Sequence, residues 1–179
     1  MFKSLFKKDK SAEIGEALYV AAADHALSPP FFRDFGAPDT PEGRFEVVAL
    51  HVWLILRRLK GEDPAAKRAA QKLLDSTFSN LDAALREMGV GDLVVGKKVR
   101  KLAENFYGRL GAYDAGLAAD ADAASLEEAL ARNVYESETA KDASALANYV
   151  RAAAEELDTQ PQSRIANGIV TFPKPGPAL

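Results

Sequence analysis

The chain has 179 residues, 47% of them hydrophobic, a formal net charge of −3 and no cysteine. That length fits one domain able to bury a core of its own, and the composition excludes a wholly disordered chain. Without cysteine there are no disulfides, thiolate nucleophiles or thiolate metal sites, and so small a net charge gives no reason to expect DNA as a partner.

Residues 1–10, MFKSLFKKDK, carry four lysines and one aspartate. They are expected to form a flexible basic arm, or alternatively a weak anchor on anionic lipid. No uninterrupted apolar core follows, so no secretory signal is read. Residues 11–27 predict a helix, with Ile14, Leu18, Ala21, Ala22 and His25 at helical spacing. Pro29 and Pro30 are expected to stop it. FFRDFGAPDTPEGR then reads as a connector whose three phenylalanines plug the core.

Thr40 is the expected N-cap of the next helix, with Pro41 in its first turn. Residues 44–60 are apolar nearly all round, which predicts a helix buried on most sides. Its run VVALHVWLIL is about half of the roughly 20 residues a membrane span needs. Asp63 and Pro64 are expected to open a helix to Met88 with the stripe Leu73, Leu74, Phe78, Leu81 and Leu85. Another, starting near Asp92, carries Val95, Val99, Leu102, Phe106, Leu110 and Tyr113. A short helix capped by Ser125 and a last one ending near Leu157 follow an acidic stretch. From Asp158 the periodicity fails and TFPKPGPAL reads as a proline-rich tail. The expectation is a single-domain all-α bundle of about six or seven helices with flexible ends: arm 1–10, helical domain 11–157 and tail 158–179.

The stretch LREMGVGDLVVGKKVRKLAENFYGR, residues 85–109, decides between a phosphate loop and a helix corner. A Rossmann loop needs a preceding strand and a different glycine spacing, and a Walker loop needs Ser or Thr after Gly-Lys. A corner needs only Gly89 in a left-handed conformation, Gly91 to turn the chain and Asp92 to cap the new helix. Lys97 and Lys101 then share a face flanked by Lys98 and Arg100, either an ordinary solvated face or a docking surface.

No catalytic machinery is visible. His25 and His51 are the two histidines. His51 is expected to be a hydrogen-bonded core residue; in a rival reading it is an axial haem ligand. Asp75 and Asp82 share a helix face but stand roughly 10 Å apart. There is no metal-ligand spacing and no G-x-S-x-G elbow. The expectation is a binding protein, not an enzyme, with no metal and no cofactor.

Three blocks in order resemble the ubiquinol–cytochrome c chaperone family, assembly factors of the cytochrome bc complex. They are Pro38-Asp39-Thr40 with Gly43-Arg44-Phe45, then residues 85–92 (LREMGVGD), then Phe106-Tyr107-Gly108-Arg109. The preceding LYVAAADHALSPPFF departs from the family's pattern, being alanine-rich with an acidic Asp24. The resemblance implies an α-helical assembly chaperone without catalysis, newly made cytochrome b as client, and the ribosome as a further partner. With no transit peptide read, it implies the bacterial form at the cytoplasmic face of the inner membrane.

Lys97, Lys98, Arg100 and Lys101, with Phe31, Phe32 and Phe35, are the candidate partner-binding residues, and ribosomal RNA or anionic lipid fits the basic face. Asp39, Arg44, Arg86, Glu87, Gly89, Gly91, Asp92, Tyr107 and Arg109 are expected to be structural. Arg44 and Arg109 are expected to pair with Asp39, Glu87 or Asp92. The alternatives are a helical haem- or small-molecule-binding protein and a peripheral membrane adaptor using the basic arm.

Overall fold

The structure, a computed structural model, describes residues 10–118, 120–136 and 143–176. Among these, eight helices and no strand are present. They are α1 (Lys10–Ala26), α2 (Pro29–Arg33), α3 (Pro41–Arg58), α4 (Pro64–Glu87), α5 (Asp92–Gly116), α6 (Ala123–Val134), α7 (Ala143–Thr159) and α8 (Gln162–Ala166). The all-α expectation holds. The expected basic arm lies outside the described residues, apart from Lys10.

The axis of the bundle is α3. Its residues from Glu46 to Leu56 are all buried, and α1, α4, α5, α6 and α7 pack around it. The Thr40 hydroxyl caps it by accepting from Gly43 N at 3.1 Å. Gly43 is required there: a methyl group would stand 2.0 Å from the Pro38 carbonyl oxygen. The Asp63 carboxylate caps α4, accepting from the backbone of Ala65 and Ala66.

Two helices were not expected. Pro29 and Pro30 end α1, yet they also open α2, because a helix's first turn needs no N–H donors. Phe31 and Phe35, candidates for partner contact, are thereby turned wholly into the core against Tyr149, out of a partner's reach. Phe32 is half-buried beneath the Arg44 guanidinium.

The segment beyond Asp158, expected to be a flexible tail, is held to the bundle as far as it is described. The Gln160 side chain donates to Thr171 O at 2.7 Å and accepts from Thr171 N at 3.0 Å. Arg58 donates to the carbonyls of Leu157 and Gln160. Ile165 and Ala166 of α8 are buried, and Phe172 stacks on His25. These are contacts between distant parts of the chain, so no local periodicity announces them.

Candidate functional site

The corner between α4 and α5 is closed by backbone hydrogen bonds. Gly89, at φ +85°, donates to Arg86 O, and Val90 N donates to Leu85 O at 3.0 Å. This pattern ends a helix with a left-handed residue and satisfies its last carbonyls. Arg86 then straddles the corner, pairing with Asp82 of α4 at 2.5 Å and with Asp92 of α5. Asp92 is the first helical residue rather than the cap; Gly91 is the cap and supplies no side chain. Glu87 is exposed on the same corner.

Below the corner a groove of about 340 Å³ runs between the start of α3, the end of α4 and the middle of α5. That is within the roughly 300–1,000 Å³ typical of small-ligand sites. Its walls are apolar: Phe45, Leu81, Leu85, Met88 and Leu102. Lys98 and Lys101 line one side, Glu42 and Glu136 another. Lys97 and Arg100 face away from it, as their positions around α5 require.

Glu46 and Arg109 form an ion pair among the groove's lining residues, at 2.6 Å. Glu46 is 7% exposed. Burial lifts its carboxyl to about 7, Arg109 opposes the rise, and Glu136 adds to it. The pair leaves hydrogen-bonding capacity unmet: Glu46 Oε2 and Arg109 Nε and Nη1 bond to no described residue. Buried groups of this kind are costly, and such exceptions call for an explanation. Arg109 therefore pairs with neither Asp39, Glu87 nor Asp92, because its place on α5 faces α3. Arg44 does pair with Asp39, at 2.6 Å on the surface.

The model of the ubiquinol-cytochrome c chaperone family matches residues 33–172, a span containing every residue of the groove. The chain belongs to that family. The crystal structure of the Cbp3 homolog from Brucella abortus superposes with a TM-score of 0.83 at 38% identity, covering 92% of this chain and 91% of that one. Ubiquinol-cytochrome-c reductase complex assembly factor 1 of Xenopus laevis is 28% identical over 144 residues, 79% of this chain and 71% of the frog protein. The Drosophila melanogaster protein of that name is 30% identical over 154 residues, 82% of this chain. The chain spans only 59% of the fly protein and 48% of its human counterpart.

Within this family member, the four expected docking cations are exposed and make no ion pair with a described residue. Lys98 and Lys101 join the groove; Lys97 and Arg100 form a separate outer face. Tyr107 is half exposed, its ring near Phe78 and Phe106. Sequence reasoning missed Glu46. The available signal was a lone acid inside FEVVALHVWLIL, a run that buries whatever it carries.

His51 is fully buried with both ring nitrogens engaged. Nδ1 donates to Val47 O at 2.8 Å, so Nε2 accepts from the Tyr149 hydroxyl at 2.8 Å. The Tyr149 oxygen in turn accepts from His25 Nε2 at 2.9 Å. A haem iron at His51 would have to displace one of these bonds inside the packed core, which removes the basis of the haem reading.

Proposed function

We propose that this chain is a non-enzymatic assembly chaperone of the cytochrome bc complex and that it receives newly made cytochrome b. The observation that carries this reading is the groove, an apolar trough with unmet polar capacity at Glu46 and Arg109. An apolar segment awaiting assembly needs such a surface. Phe45, Leu81, Leu85, Met88 and Leu102 accept its side chains. After a small opening of the pair, Arg109 donates to a carbonyl and Glu46 accepts from an N–H or hydroxyl. An amphipathic helix lying in a groove is a common mode of this recognition. Lys98 and Lys101 favour a client segment with an acidic residue on that side.

The working place we infer is the cytoplasmic face of a bacterial inner membrane, with the ribosome as a further partner of the basic edge. No described helix is long and apolar enough to cross a membrane.

The test is photocrosslinking in cells making the cytochrome bc complex. A photoreactive residue at Met88 or Leu102 should capture cytochrome b. One at Ala152, exposed on α7, should not. Equal capture from all three positions, or none from a folded protein, would refute the groove as the client site.

A further inference from the structure

The α4–α5 corner ends in apolar side chains that cover little. Leu93 is 94% exposed, and Met88 and Val94 are 56% and 48% exposed. Such exposure costs nothing in a loose loop, but this corner is fixed. The left-handed Gly89 closes α4, and Arg86 ties Asp82 to Asp92 across the turn. Leu93, in the first turn of α5, is therefore presented to solvent by rigid structure.

Cations follow at set heights. Lys97 stands one turn behind Leu93 on the same face, Arg100 nearly a turn further, and Lys98 and Lys101 beside them. At about 1.5 Å per residue they lie roughly 6–12 Å behind the tip. Amphipathic elements at bilayers bury apolar side chains by about 5–10 Å, so these cations fall at the depth of the headgroups. Four acids stand on the same elements, Asp82 and Glu87 on α4 and Asp92 and Glu104 on α5, against the five cations Arg86, Lys97, Lys98, Arg100 and Lys101, with Arg86 shared between Asp82 and Asp92. A positive surplus survives in a chain of net charge −3. The 25-residue α5 also points the positive end of its dipole toward the tip.

We propose that this corner is a lipid-contacting tip. Leu93, Val94 and Met88 enter the interface of an anionic bilayer, and Lys97, Lys98, Arg100 and Lys101 hold its phosphates. Nucleic acid would use the cations but leave Leu93 in water. A bilayer uses both, and a soft surface accepts a convex apolar tip without a matching pocket. The inference goes beyond the client reading: Leu93, Val94, Lys97 and Arg100 do not line the groove, whereas Met88, Lys98 and Lys101 stand at its edge and belong to both.

The test is flotation of the full chain with vesicles of phosphatidylcholine alone or with about 30% phosphatidylglycerol. Expected is binding to the anionic vesicles only, weakened at least about tenfold by Leu93→Ser with Val94→Ser. Lys97→Glu with Arg100→Glu should weaken it as much, since each cation near such a surface is worth roughly fivefold. Melting curves should shift little, because Leu93 is almost fully exposed and Val94 about half exposed. The chain lacks cysteine, so Leu93→Cys and Ala152→Cys each carry one environment-sensitive dye. The dye at 93 should shift to the blue on anionic vesicles and the dye at 152 should not. Absent flotation, flotation indifferent to both double variants, or flotation lost only on deleting residues 1–10 would overturn the proposal. Both double variants leave Lys98, Lys101 and the groove intact, so client crosslinking through Leu102 should persist and report on the other reading separately.

Discussion

Replacing Arg109 by methionine tests the buried pair at the groove. The folded Glu46 carboxyl is raised to about 7 from an ordinary 4.5, chiefly by burial, and Arg109 holds it down from a still higher value. Removing the guanidinium leaves Glu46 Oε1 as well as Oε2 without a donor and lifts the carboxyl further. At pH 6 Glu46 is already mostly protonated, so the substitution costs only the lost hydrogen bond and the unsatisfied oxygen, about 1–3 kcal/mol. Above pH 7 the wild type gives up this proton and relies on Arg109, whereas the variant must keep it. Each further pH unit then adds up to about 1.4 kcal/mol to the loss. At pH 8 the total approaches the roughly 3–5 kcal/mol of a broken buried pair. Urea unfolding at pH 6, 7 and 8 measures this. The double variant Arg109→Met with Glu46→Gln should lose the pH dependence. An equal destabilisation at pH 6 and pH 8 would refute the assignment of Glu46 as a group whose charge Arg109 sustains.

Two further predictions come from the corner and the histidine core. Gly89→Ala should lower stability by about 1–2 kcal/mol, because φ +85° is a left-handed conformation costly to any residue with a Cβ. Gly91→Ser should stabilise by only a few tenths of a kcal/mol by supplying the missing cap, both read by thermal or urea unfolding. In acid, burial lowers both histidines, His51 to about 3, so the stability they confer is present above about 6.5 and lost as pH falls. Glu46 acts oppositely, since its raised carboxyl gives a gain as pH falls from about 7 to 4.5. The terms oppose one another over that window, so Glu46 should delay the acid unfolding of the wild type. Glu46→Gln should begin to lose stability near pH 6.5. Coincident acid limbs for the two proteins would contradict this.

What the sequence disclosed was mostly local. Thr40 and Asp63 cap the helices they precede because a cap needs only a hydroxyl or carboxylate two or three residues from an N–H. Gly89 closes α4 for a similarly local reason. The run from Val47 to Leu56 announced the central helix, since no other placement buries it. The remainder depends on residues about 10 to 100 positions apart. Gln160 clasping Thr171, and Arg58 reaching Leu157, have no periodic trace. The phenylalanines read both as core plugs and as partner contacts; the short α2 turns Phe31 and Phe35 into the core, while Phe32 stays half-buried. The acids near the corner are the partners the sequence suggests for Arg109, whereas its partner is the lone acid of the buried helix. The position of Leu93 shows in the spacing: it falls with Lys97 and Arg100, away from Val95, Leu102 and Phe106.

That spacing gives α5 two faces with different chemistry. Leu102 and Arg109 look into the groove with Lys98 and Lys101 at its edge. Leu93, Lys97 and Arg100 look outward. A bilayer engaged by the outer face and tip would bring the groove alongside the surface through which apolar client helices must pass. The two faces are joined by one rigid helix whose start is fixed by Arg86 and Gly89. Loosening the corner would therefore misplace both, even though neither residue lines the groove. Arg86→Ala in a folded protein should weaken vesicle binding and crosslinking through Leu102 together. Leu93→Ser with Val94→Ser should impair only the first, and this difference separates a residue that orients the helix from residues that touch a partner.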